Sequence, residues 1–111
     1  SRQGLNNLIC IVDRNRLSVT QKIDYDDTSG PLERHFEAFG WHTITIDGND
    51  FLEIKRAFQE ADLKCKPTAI VADTIKGKGV SFMEGVTKWH HSIPGPEQLT
   101  IARQELEGKT Q

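Results

Sequence analysis

No apolar run in this sequence approaches the length of a membrane span, and its first residues carry no signal-peptide pattern. Cysteine is scarce: Cys10 and Cys65 are the only two, and they form neither a CxxC pair nor a disulfide framework. Two reduced thiols in a cytoplasmic protein are expected. A strong charge of either sign is missing as well. Fourteen Lys and Arg against sixteen Asp and Glu leave a net charge of −2, which gives no electrostatic reason to expect nucleic acid or an anionic membrane as partner. Neither GxxxxGK[ST] nor GxGxxG occurs, so the chain has no P-loop and little to recommend a nicotinamide site. No internal repeat or low-complexity segment is visible.

What is present is one small domain's worth of α/β pattern in 111 residues. Leu8-Ile9-Cys10-Ile11-Val12 is a continuous, largely β-branched apolar run that turns polar at Asp13-Arg14-Asn15-Arg16-Leu17. Such a run predicts a strand buried on both faces that ends at the functional edge of a parallel sheet, where ligands of open α/β sheets are met. Only seven residues precede it, too few to cover a face. An upstream part is therefore expected, and an apolar face left open without it favours a homo-oligomer.

Residues 18–30 are polar, with Tyr25 among Asp24, Asp26 and Asp27, and read as a surface loop. Thr28 or Ser29 is the expected N-cap of a helix with Pro31 in its first turn, Leu32, Phe36 and Phe39 on one face, and Gly40 at its end. A second strand is expected over residues 41–46, with His42 as a strand-face residue rather than a catalyst. Asp47-Gly48-Asn49 is turn chemistry, and Asp50 with Glu53 forms a capping-box pattern. Phe51, Ile54, Phe58 and Ala61 then mark the apolar face of a second helix. A third strand follows at residues 68–72, and a last helix from Pro96 to about Glu107 presents Leu99, Ala102 and Leu106. Two strand–helix–strand units in succession predict a short parallel sheet of about three strands with flanking helices and right-handed crossovers.

Two strand ends carry the candidate chemistry. Asp13 and Asn15 offer oxygen ligands for a hard divalent cation such as Mg²⁺. Lys76-Gly77-Lys78-Gly79 offers ammonium groups and backbone N–H donors that suit phosphate. Taken locally, the first is also an ordinary turn-former and the second an ordinary solvated loop. His90 and His91 lack Cys, Asp or Glu at ligand spacing, which argues against zinc; one of them near a phosphate fits a donor or proton shuttle better.

In order along the chain, Leu5-Asn6-Asn7-Leu8-Ile9, Val12-Asp13-Arg14-Asn15-Arg16-Leu17, Ala38-Phe39-Gly40-Trp41-His42, Ile46-Asp47-Gly48-Asn49-Asp50, Lys66-Pro67-Thr68, the stretch from Thr74 to Glu84, and Trp89-His90 resemble the transketolases. The resemblance runs from about Leu5 to Leu106. It implies a partial thiamine diphosphate-binding fold over residues 1–111, namely the second half of the family's diphosphate-binding domain. It also implies thiamine diphosphate with Mg²⁺ (or Ca²⁺) as cofactors, and transfer of a two-carbon ketol unit between sugar phosphates. By the same resemblance Asn15 binds the metal through its side-chain oxygen and Leu17 through its backbone carbonyl. Lys76 and His90 lie at the diphosphate and reacting centre, and Asp13 orients the turn. His91 stands where many members have Gly, and Gln21 where a glycine is frequent.

One departure matters more. The family's Gly-Asp-Gly aspartate, upstream of the metal-binding Asn, has no counterpart among the fourteen residues before Asn15. The pyrimidine-binding domain that supplies the cofactor-activating glutamate has none either. The expectation is a fragment inactive alone, completed by further transketolase segments or a pyrimidine-binding chain. The alternatives are a non-catalytic assembly module on the same scaffold, or a segment of another thiamine diphosphate enzyme such as deoxyxylulose phosphate synthase.

Overall fold

The computed structural model describes residues 4–18 and 30–108. The expected caps Thr28 and Ser29, Gln21 and nearly all of the loop over residues 18–30 lie outside the described residues. The chain divides into two compact units, Ser1–Arg16 with Asp24–Thr74, and Leu17–Ile23 with Ile75–Gln111.

The first unit is the sheet. Its strands are β1 (Ile9–Arg14), β2 (His42–Asp47) and β3 (Thr68–Asp73), all parallel, in the order β1-β3-β2. Helix α1 (Leu32–Ala38) links β1 to β2, and α2 (Phe51–Leu63) links β2 to β3. Alternation along β2 places the helices. Ile46 packs with Ala57 of α2, Ile70 and Ala72, and Ile44, Ile9 and Ile54 join them. Thr43 and Thr45, on the opposite pleat, donate their hydroxyls to Glu37 and Glu33 of α1 at 2.8 and 2.7 Å. Side chains one residue apart on a strand point to opposite faces, so α1 and α2 cover opposite faces of the sheet. The α/β class and the three parallel strands match the expectation from the sequence.

The expectation of a first strand buried on both faces does not hold. The central strand is β3, where Thr68, Ala69, Ile70 and Val71 are at most 1% exposed. Its two largest apolar side chains, Ile70 and Val71, each contribute on the order of 1.5–3 kcal/mol by burial. β1 is an edge strand, and Ile11 on its α2 side is 57% exposed because α2 packs over β2 and β3 instead. An apolar run identifies a strand but does not reveal whether it lies at the centre or at the edge.

The helix faces also differ from the periodic reading. Phe51 is 86% exposed and Phe58 is 40% exposed, while Ala57 and Ala61 are the buried residues of α2. Small side chains let this helix approach the sheet closely, and the rings stay outside. Phe39 follows the last turn of α1 and is exposed; Phe36 packs against Trp41 with ring centroids 5.5 Å apart. Gly40 takes φ +80° just past the C-cap, as its place in the sequence suggested. Asp50 caps α2 by accepting from the N–H groups of Leu52 and Glu53. Glu53 closes no reciprocal box on Asp50, since it accepts the Asp47 N–H at 2.7 Å.

The second unit holds the loop from Ile75 onward, a short 3-10 turn at Thr87–His90, and α3 (Pro96–Glu107). Gly95 begins α3, and Gln98 reaches back to accept its N–H at 3.1 Å. Ala102 is the buried residue of α3, whereas Leu99 and Leu106 stay about half exposed.

Candidate functional site

The carboxyl ends of the three strands share one register row: Arg14 pairs with Asp73, and Asp47 pairs with Asp73 from the other side. The expected ligand edge therefore begins with a buried cation between carboxylates. Arg14 is 6% exposed. Its Nε and Nη2 donate to the two carboxylate oxygens of Asp73, both at 2.7 Å, and its Nη1 donates to Glu33 at 2.9 Å. Such a two-point arginine–carboxylate pair fixes orientation as well as distance.

The electrostatics follow the geometry. The hydrogen bond to Asp73 raises the Arg14 guanidinium above its ordinary range, against the opposing effect of burial and with help from the Asp73 and Glu33 charges. The same hydrogen bond from Arg14 holds Asp73 below the usual carboxylate range; burial opposes this, and the charges of Arg14 and Arg16 add to it. Burial pushes Glu33 upward, but hydrogen bonds from Thr45, its own backbone and Arg14, together with the Arg14 charge, outweigh that, so Glu33 also lies low.

Asn15 follows directly. Its Nδ2 donates to Asp13 at 3.4 Å, and Asp13 also accepts the hydroxyl of Thr74. Arg16 then takes φ +57°, a left-handed conformation that costs a residue with a Cβ roughly 1–2 kcal/mol. Its Nη2 lies 3.9 Å from Asp73. On the neighbouring strand end, Gly48 donates its N–H to the Asp73 carbonyl at 2.7 Å. A Cβ at Gly48 would stand 2.5 Å from Thr74 Cγ2 and 2.8 Å from Ala72 Cβ, so the close approach of β2 to β3 requires glycine.

Leu17, Lys76 and His90 belong to the second unit. Leu17 is partly buried, Lys76 is half-buried and His90 is exposed, with its ring set edge-on to His91 at 4.5 Å. Two of the four N–H donors expected for phosphate in Lys76-Gly77-Lys78-Gly79 are engaged within the loop. Lys78 donates to Ile75, Val80 donates to Gly77, and the Gly79 N–H goes to the Glu84 carboxylate at 2.9 Å. The same Glu84 oxygen lies 3.9 Å from Lys78 Nζ, so this carboxylate answers both a backbone donor and one lysine of the loop. Gly77, at φ +74°, lets this loop close: a Cβ there would lie 2.6–2.8 Å from Met83. Trp89 donates its indole N–H to the Phe82 carbonyl at 2.9 Å and sets its ring against Phe82, which ties the His90 turn to the loop.

The donor chemistry at Asn15 and Leu17, an amide oxygen and a peptide carbonyl, suits a hard divalent cation. Among the described residues no group of three or more His, Cys, Asp or Glu is arranged to hold a metal. Also among the described residues, no helix is long and apolar enough to cross a membrane. Sequence reasoning overlooked Arg14, Glu33 and Asp73. An arginine after an apolar run reads as a solvated end, and its partners lie 19 and 59 residues away.

The family model described as "Transketolase, thiamine diphosphate binding domain" matches residues 1–110. One of the subunits of the apulose-4-phosphate transketolase of Phocaeicola vulgatus is 38% identical over 103 residues, covering 92% of this chain and 37% of that protein. The transketolase of Mus musculus is 41% identical over 86 residues, 78% of this chain and 14% of its own length. The crystal structure of transketolase from Campylobacter jejuni superposes with a TM-score of 0.84 at 31% identity, over 96% of this chain and 17% of the other. The chain thus spans little more than a third of one relative and between a seventh and a sixth of the other two.

Proposed function

This chain belongs to the transketolase family through its thiamine diphosphate binding domain, and from that premise we propose that it supplies one side of a metal–diphosphate site. Asn15 holds the cation through its side-chain oxygen and Leu17 through its carbonyl. Lys76 and His90 serve the diphosphate, and residues 1–111 act as a single partial diphosphate-binding domain. The observation that carries this reading is the Asp13–Asn15 pair at the carboxyl end of β1. Asp13 accepts from the amide nitrogen, and the amide oxygen is the atom assigned to the cation. Mg²⁺ takes hard oxygen ligands and shares its coordination with phosphate oxygens.

Bound thiamine diphosphate supplies the carbanion chemistry of two-carbon ketol transfer between sugar phosphates. This chain's residues bind and orient. The Lys76 ammonium offsets diphosphate charge as a compact, flexible cation. The His90 imidazole, exposed on its turn, serves as a hydrogen-bond donor or proton carrier. Two neutral oxygens bring no negative charge to the cation, and the chain works with further segments that bring a carboxylate and the pyrimidine pocket. Relatives that are themselves named as one of the subunits of an apulose-4-phosphate transketolase support an arrangement of more than one chain.

Titration calorimetry of the chain with thiamine diphosphate and Mg²⁺ tests the reading. Binding weaker than micromolar is expected, and Asn15→Ala abolishes its metal dependence. Micromolar, metal-dependent binding by the chain alone contradicts the half-site, and an unchanged metal dependence in Asn15→Ala removes Asn15 from it.

A further inference from the structure

We propose that Asp73 is the positioning residue of the Asn15 turn, holding Asn15 in place through the two arginines that flank it. The inference rests on the ligand reading of Asn15 and adds what keeps that side chain where it is needed.

Three relations converge. Arg14 grips both oxygens of Asp73 at 2.7 Å, and Arg16 brings its Nη2 to 3.9 Å from the same Oδ1. The Asp73 carboxylate is thus reached by the arginine on each side of Asn15. Asp13, on the opposite pleat from Arg14, accepts from Asn15 Nδ2 and from the Thr74 hydroxyl. Asp73 and Thr74, consecutive residues at the end of β3, thus pin the end of β1 from both faces.

The turn needs this. Arg16 sits at φ +57°, where its Cβ is crowded by its own backbone and where glycine is the usual occupant. An attractive partner for its guanidinium offsets part of that cost and keeps the bend that follows Asn15. Asp73 is well placed for this role because Arg14, buried and held also by Glu33, anchors it. The Arg16 contact is long and half-exposed, so it steers the turn without adding much to global stability. This separation makes positioning distinguishable from scaffolding.

The test is ¹⁵N NMR on the full chain, recorded without metal or thiamine diphosphate, for Asp73→Asn, Asp73→Glu and Arg16→Ala. In Asp73→Asn and Arg16→Ala the Asn15 side-chain amide shifts. Backbone exchange at Asn15 and Arg16 rises by about tenfold, while Ile70 and Val71 stay within about twofold. Asp73→Glu restores the Asn15 signals in part. Arg16→Ala leaves the Arg14 pair intact, so it decides the matter even where Asp73→Asn does not fold. Unmoved Asn15 resonances in Arg16→Ala overturn the proposal, as does loss of protection at Ile70 and Val71 in step with Asn15. The spectra contain no ligand, so failure here leaves the ligand reading standing. Conversely, loss of Mg²⁺-dependent cofactor binding would leave this positioning role standing.

Discussion

Arg14 and Asp73 are register partners at the ends of neighbouring strands, and their side chains close a two-point grip with both N–O distances at 2.7 Å. The arginine is buried and the carboxylate is 42% exposed, so the pair joins the interior of the sheet to the carboxyl ends of its strands.

Arg14→Met should destabilise the fold by about 2 kcal/mol, read as a lower urea midpoint with an unchanged slope. A fully buried pair broken on one side costs roughly 3–5 kcal/mol, and the exposure of Asp73 discounts that. Arg14→Lys should recover little, because an ammonium cannot make the planar two-point contact.

Stability should fall in acid through Glu33 and Asp73. Both carboxyls lie below their ordinary values in the fold. The unfolded chain therefore takes up protons first as pH drops, and stability rises with pH across that window. The urea midpoint should hold level from about pH 7 to 5 and decline below about pH 4. The double variant Glu33→Gln/Asp73→Asn should lose much of that slope.

Gly77→Ala should cost about 2 kcal/mol or more, because a left-handed φ and a 2.6 Å approach to Met83 Cβ coincide there. The change should broaden the NMR signals of the loop that carries Lys76 while leaving β3 alone. Trp89→Phe keeps an aromatic ring but removes the indole N–H and part of the contact with Phe82, so a loss of about 1–2 kcal/mol is expected, the hydrogen bond alone accounting for about 1 kcal/mol.

The exposed and buried faces of α2 give opposite expectations. Phe51→Ser should change stability by no more than about 0.5 kcal/mol, since the ring is 86% exposed. Ala57→Leu should destabilise by about 1–3 kcal/mol by overpacking against Ile46 and Ile70. Chemical denaturation of the two variants distinguishes these outcomes.

These residues also show what was legible in the sequence. The bounds of α3, the apolar third strand, the Asp50 cap and the parallel sheet all follow from local signals that the structure bears out. Local signals failed where neighbours decide. Phe51 fits a helical period but lies in the first turn of α2, outside the packed stripe, while Ala57 carries too little hydrophobicity to stand out. Ile11 looked central and lies on an edge strand, because strand order depends on crossovers rather than composition. At the candidate site, the Asp-x-Asn turn could be read directly. Arg14 could not, because recognising a buried cation requires knowing that Asp73, 59 residues on, ends the adjacent strand. The Gly79 N–H looked available for phosphate until Glu84 proved to accept it.

The central claim is that Asn15 faces the metal of a thiamine diphosphate site, and paramagnetic relaxation tests it most directly. Mn²⁺, standing in for Mg²⁺, is added to the ¹⁵N-labelled chain with and without thiamine diphosphate. The account predicts broadening at Asn15 and Leu17 that requires the cofactor and vanishes in Asn15→Ala. Broadening confined to other carboxylates, or indifferent to thiamine diphosphate and to Asn15→Ala, would contradict it.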